Sequence, residues 1–148
     1  MGIYSEKAAN NFRKGYNCAQ SVLLAFADKV GLKDEEALRL ASSFGGGMGR
    51  LREVCGAVSS MFAIAGLKHG YTSPDDDETK AKHYELIQKL AEKFKTQHDS
   101  IICRELLGLP EGADSPIPSK RTEEYYQERP CELFIRTAAE IIEKDILN

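Results

Sequence analysis

"GRLREVCGAVSSMFAIAGLKHG", residues 49–70, sets one cysteine, Cys55, just after a glycine cluster and near the head of a long apolar run. From Val54 to Leu67 the run is about 14 residues long and includes serines. A bilayer span needs about 20 apolar residues, so this stretch reads as a buried helix, central to a helical protein. A thiol placed there is either a small apolar filler or a reactive group. The chain has four cysteines, Cys18, Cys55, Cys103 and Cys131, with no two close in sequence. Only the fold can decide whether they form one site.

Helical periodicity continues on both sides of this stretch. Residues 4–14 form a polar amphipathic helix with Ala8, Ala9 and Phe12 on one face. Residues 18–30 carry Ala19, Val22, Leu23, Phe26, Ala27 and Val30, an i, i+3, i+4 stripe bounded by Gly15 and Gly31. Residues 33–44 start with Asp34 as cap and present Leu38, Ala41 and Phe44 inward. "GGGMG", 45–49, interrupts regular structure, and the central helix is expected over 51–68. Residues 76–97 predict a long surface helix burying Tyr84, Ile87, Leu90, Ala91 and Phe94. A short helical piece ends at Gly108, and "LPEGADSPIPSK" is an extended loop. The last helix or helix pair covers 121–146, broken at Pro130. No strand, repeat or low-complexity tract stands out. The expected fold is all-α: a single domain over 1–148, with five to seven helices packed as a bundle or orthogonally.

A chain of 148 residues buries enough surface to fold without disulfides or metal. Its formal charge is −3, from 20 basic and 23 acidic residues, which offers no electrostatic reason for nucleic acid or an anionic membrane as partner. The polar start, "MGIYSEKAANNFRKGYN", has no apolar signal region, so a cytoplasmic location is expected. Thiols there stay reduced, which favours metal binding or redox work over permanent disulfides.

The cysteines fall at helix starts. Asn17 is a good N-cap, making Cys18 the first helical residue and Gln20 the third. Asp99 or Ser100 caps the piece that holds Cys103, and Pro130 at the first helical position makes Cys131 the second. Cys55 lies about one turn into its helix, beside the glycine loop. A helix N-terminus offers unpaired N–H groups and about half a positive charge, and both favour thiolate over thiol. No C-x-x-C occurs, so thioredoxin-type, zinc-ribbon and ferredoxin spacings are absent. Any four-cysteine site must be assembled by tertiary structure.

"GYNCAQSVL", "FGGGMGR", "VCGAVSS", a lone cysteine near position 100 and another before the last helix resemble, in that order, the C_GCAxxG_C_C family, also called the CGCAxxGCC motif family. The resemblance runs from about residue 7 to 143, and all four cysteines match those for which the family is named. It implies a helical fold and a redox role, with an iron–sulfur or other prosthetic group proposed for some members. One departure is Ser60, where the family usually has glycine. Restoring glycine there is expected to be mild.

Other conspicuous residues carry weaker signals. Gly45, Gly46, Gly47, Gly49 and, after Cys55, Gly56 let backbone approach the sulfurs and offer N–H groups to a cofactor. The loop is no P-loop, because it lacks the Lys-Ser/Thr pair and follows a helix. Arg50 and Arg52 flank the site in sequence; surface arginines are the default reading, and stabilising a thiolate or an anionic ligand is the sharper one. His69 suits a helix C-terminus, and His83 and His98 read as surface. Tyr125 and Tyr126 are expected to pack over the site. No Ser-His-Asp order supports a hydrolase.

Three functions fit. The first is a redox or electron-transfer protein whose Cys18, Cys55, Cys103 and Cys131 bind an iron–sulfur cluster or other metal. The second is a metal-free dithiol/disulfide oxidoreductase using Cys18 and Cys55, with Cys55 as the accessible nucleophile. The third is a non-catalytic helical module with structural zinc or free cysteines. The expected partner is an unidentified redox protein, and a homodimer is compatible with the sequence.

Overall fold

A computed structural model describes residues 2–147. Among them, besides a four-residue turn at Gly45–Met48 broken by left-handed Gly46 and Gly47, are eight α-helices: α1 (Ile3–Arg13), α2 (Cys18–Phe26), α3 (Asp34–Ala41), α4 (Gly56–His69), α5 (Asp77–His98), α6 (Cys103–Leu107), α7 (Glu123–Glu128) and α8 (Cys131–Asp145). The all-α class holds. The count exceeds five to seven because α6 and α7 are separate short pieces of one to two turns. The only β-type pairing among the described residues is a single antiparallel bridge between Val54 and Ile102.

Helices α2 and α4 form the centre, with α1 and α8 packed together on one side and α5 on another. Their apolar stripes supply one core of Phe12, Val22, Leu23, Phe26, Val58, Met61, Ile64, Leu90, Phe94, Ile135 and Ile142. Each such side chain gains about 1.5–3 kcal/mol from full burial. Tyr4 stacks on Phe26 with centroids 4.6 Å apart, and Arg136 joins α1 to α8 by bonding Glu6 at 2.7 Å and Glu132 at 3.2 Å.

Four sequence expectations shift. The central helix starts at Gly56, not near 51, because Arg50 and Arg52 adopt left-handed φ angles of 66° and 62° that a helix cannot contain. Instead, Cys55 N–H donates to Ile101 O at 2.8 Å and Cys103 N–H to Glu53 O at 2.6 Å, tying the two segments together. Second, Asp99 ends α5 in the left-handed region (φ 71°), and Ile102 flanks the start of α6. Third, the inner face of α3 is Ala37 and Ala41, while Phe44 is 37% exposed. Fourth, Tyr84 is not buried. Its ring meets Tyr71 edge-on at the surface, with the two hydroxyls 2.9 Å apart.

Candidate functional site

The four cysteines are brought together at one end of the helix packing. Cys18 opens α2, Cys103 opens α6, Cys131 opens α8, and Cys55 immediately precedes α4. All four are free thiols and all line one cavity of about 130 Å³. Local sequence explains why Cys18 stands there. Asn17 accepts from the Gln20 N–H at 2.8 Å, and the Gln20 side chain accepts from the Asn17 N–H at 3.2 Å, a reciprocal cap that fixes the first turn.

Electrostatics makes the four thiols unequal. A hydrogen bond from the Cys55 thiol, and then the backbone N–H groups of Gly46, Gly56 and Ala19, lower the pKa of Cys18 from 9.0 to about 6 against the opposing effect of burial. The same hydrogen bond, together with burial and the negative charge on Cys18, pushes Cys55 well above the ordinary thiol range. Burial also raises Cys103, opposed by Arg52. Cys131 is pushed up to about 12, by burial first and then by the charges of Cys18 and Cys103. These directions favour thiolate at Cys18 and thiol at Cys55, Cys103 and Cys131. Cys18 is half-buried, whereas Cys55 is 5% exposed.

The glycines divide by role. Gly46 and Gly56 line the cavity and direct N–H groups at Cys18. A Cβ at Gly56 would sit 2.5 Å from the Cys18 Sγ and 2.8 Å from Phe44 O, so only glycine admits the sulfur here. Gly47 packs against the Cβ of Cys103 and Gly45 against Asn17, behind the cavity wall. Gly49 meets nothing closer than Ser43 O, 3.9 Å from an added Cβ. The loop has an unusual backbone. Gly46, Gly47, Met48, Gly49, Arg50 and Arg52 all have positive φ, three of them non-glycine residues. At the three non-glycine residues such conformations cost about 1–3 kcal/mol each and persist where surrounding contacts fix them.

Those contacts come from the 109–122 loop. Asp114 accepts from Arg52 at 2.9 Å, pairs with Arg50 at 3.3 Å, and donates its own N–H to Arg50 O at 2.9 Å. Arg52 is 4% exposed, and its remaining Nη1 lies 3.5 Å from the Cys103 Sγ. Neither arginine is the plain surface residue that the sequence suggests, and both line the cavity. Pro118 and Ser119 bring the same loop over it.

Two charged cavity residues went unread in the sequence, Arg121 and Arg129. Arg121 donates to Phe12 O at 3.2 Å and Tyr16 O at 3.0 Å and lies over the Phe12 ring, 4.6 Å from its centroid. Arg129 lies over Tyr125 at 5.5 Å. The only available signal was their nearness to Cys131. Tyr125 lines the cavity, and Tyr126 packs edge-on against Phe12 behind it. The histidines lie elsewhere: His69 contacts Ile146 O at 2.8 Å, and His98 contacts the buried Thr137 hydroxyl at 2.8 Å, more enclosed than a surface residue.

Among the described residues, no three Cys, His, Asp or Glu side chains gather as ligands for a single metal ion. A structural zinc needs four ligands on one tetrahedral centre, so these residues as placed do not fit it. The donor set of four cysteines is that of an iron–sulfur protein, but the four thiols share a cavity wall and do not converge on one ion.

Fold and cavity define an all-helical protein whose four cysteines, drawn from separate elements, line one cavity. The chain belongs to the family described as "Putative redox-active protein (C_GCAxxG_C_C)", which it matches over residues 16–144. Comparison with curated proteins and with solved structures gave no match.

Proposed function

We propose that the protein is a thiol-based oxidoreductase in which Cys18 and Cys55 cycle between dithiol and disulfide. The observation that supports this best is that Cys18 and Cys55 line the same cavity beside Gly46 and Gly56, where the Cys55 thiol draws the pKa of Cys18 down and Cys18 pushes that of Cys55 up. The thiolate is the form that attacks a disulfide. Cys18 is then the nucleophile and Cys55 the resolving thiol, the reverse of the order expected from sequence, because Cys55 is the more buried and more firmly protonated. Cys103, held by Arg52, and Cys131 complete the wall. The electron donor or acceptor is a separate redox protein or small thiol.

The chemistry follows from general thiol exchange. Cys18 Sγ attacks one sulfur of a disulfide and releases the other as thiolate. Cys55 then attacks Cys18 Sγ and releases the second half. The substrate gains two electrons and the Cys18–Cys55 pair loses two.

A second reading rests on the fact that all four thiols line one cavity. In it Cys18, Cys55, Cys103 and Cys131 hold an iron–sulfur cluster, which would supply one-electron transfer, with the Gly46 and Gly56 N–H groups directed at sulfur. Single Cys→Ser variants separate the two. Anaerobically purified protein is assayed for iron, sulfide and reduction of a small disulfide. The dithiol reading expects loss of disulfide reduction at positions 18 and 55 only, in iron-free protein. Iron and sulfide lost equally at all four positions would overturn it in favour of the cluster.

A further inference from the structure

Resting on the dithiol reading, we propose that the cavity selects small disulfides that carry a carboxylate near sulfur. The cavity wall includes four arginines, Arg50, Arg52, Arg121 and Arg129, and no aspartate, glutamate or lysine. Asp114, behind the wall, pairs with both Arg50 and Arg52. Arg121 bonds only neutral acceptors, the carbonyls of Phe12 and Tyr16 and the Tyr126 hydroxyl. Arg129 makes neither an ion pair nor a side-chain hydrogen bond among the described residues. Both guanidiniums approach the same ring, Tyr125, at 4.9 Å and 5.5 Å from its centroid. One carboxylate and the Cys18 thiolate offset two of the four charges, leaving an excess of two positive charges beside the nucleophile. The chain as a whole carries −3, so this local excess runs against the overall charge.

Two half-buried cations over one aromatic ring, with no anion between them, make a site for an anion. A guanidinium fork matches a carboxylate, and the ring gives an alkyl chain a face to lie on. Size sets the rest. A cavity of 150 Å³ holds benzene, so about 130 Å³ admits a fragment of about six heavy atoms. One half of bis(2-carboxyethyl) disulfide, a 3-mercaptopropionate unit, is of that size. A nucleotide is too large.

The step balances. The Cys18 thiolate attacks one sulfur, the S–S bond breaks, and one 3-mercaptopropionate leaves as thiolate and takes from solvent the proton that Cys18 gave up on ionising. Cys55 loses its proton and attacks Cys18 Sγ, and the second 3-mercaptopropionate leaves and is protonated. One disulfide becomes two thiols, while the protein dithiol becomes one disulfide.

The test measures oxidation of the reduced full chain, at pH 7 and fixed ionic strength, by bis(2-carboxyethyl) disulfide, bis(2-hydroxyethyl) disulfide and cystamine. A simple anionic thiolate in water reacts fastest with cationic cystamine and slowest with the dicarboxylate. The protein is expected to invert that order, with the dicarboxylate at least about tenfold faster than the neutral compound. Arg129→Gln should cut the dicarboxylate-to-neutral ratio about tenfold, and Arg129→Lys should recover part of it. Propionate should slow oxidation by the neutral disulfide and propionamide should not, a readout that needs no variant. If all three react in the free-thiolate order, the dithiol reading stands and the selection by charge is refuted. If none oxidises Cys18 and Cys55, the dithiol reading itself fails and takes this inference with it.

Discussion

Gly56→Ala tests whether backbone geometry makes the thiolate. The new Cβ would lie 2.5 Å from the Cys18 Sγ, 2.8 Å from Phe44 O and 3.0 Å from Ala19 N. Two of those three neighbours are backbone, so the sulfur must give way. Moving it weakens the hydrogen bonds from Gly46, Gly56, Ala19 and Cys55 that hold its pKa near 6. Full loss leaves burial unopposed and returns Cys18 to 9.0 or above, at least about three units, each worth about 1.4 kcal/mol. At pH 7 the thiolate fraction then drops from about nine-tenths to about one-hundredth. Disulfide-exchange rates fall far less, by only about fourfold, because a more basic thiolate is a better nucleophile, with a Brønsted slope of about 0.4–0.5. The decisive assay is therefore the pH midpoint of iodoacetamide alkylation at Cys18, followed by peptide mass spectrometry, not a rate at one pH. The midpoint should rise by at least about one unit. Overpacking costs about 1–3 kcal/mol, so a lower melting temperature accompanies the shift. A folded Gly56→Ala protein whose midpoint stays near 6 would refute the reasoning.

Three further outcomes are expected. Cys55→Ala removes the largest single cause of the Cys18 shift and should raise the alkylation midpoint more than Cys55→Ser, whose hydroxyl can still donate to the sulfur. Ser60→Gly is no longer expected to be mild: Ser60 Oγ, 3% exposed, donates to Ala19 O at 2.6 Å and so ties α4 to the first turn of α2. Losing that bond and adding glycine within a helix should cost about 1.5–2.5 kcal/mol in urea unfolding, against about 1 for Ser60→Ala. Asp114 is held below its ordinary value of 3.8, chiefly by hydrogen bonds from Arg52 and the Ser115 N–H. A depressed carboxylate pKa stabilises the fold above the unfolded value and loses that contribution as pH falls through the folded one. Protease cleavage in the 109–122 loop should therefore rise below about pH 4, and Asp114→Asn should show the same cleavage at pH 7.

The legible part of the fold was local. The stripe of α2, the Asn17–Gln20 cap and the glycine boundaries depend on neighbours within four residues, and the structure keeps them. The start of α4 and the true flank of Cys103 were not legible, because both depend on pairing between segments about 50 residues apart, Val54 with Ile102 and Glu53 with Cys103. Of the site, the cysteine positions at helix starts could be read, but their inequality could not. It arises from which sulfur sits over Gly46 and Gly56 and which is buried behind it. Arg52 reads as a surface residue in sequence because nothing local shows that Asp114, 62 residues on, will bury it with a partner.

The central claim is that Cys18 and Cys55 are the working pair, and disulfide mapping tests it most directly. The reduced protein is oxidised with one equivalent of a small disulfide, quenched in acid, and its peptides are sequenced by mass spectrometry. The account predicts one new bond, joining the peptides of Cys18 and Cys55, with Cys103 and Cys131 still reduced. A bond between any other two cysteines, or a scrambled mixture of pairings, would contradict it.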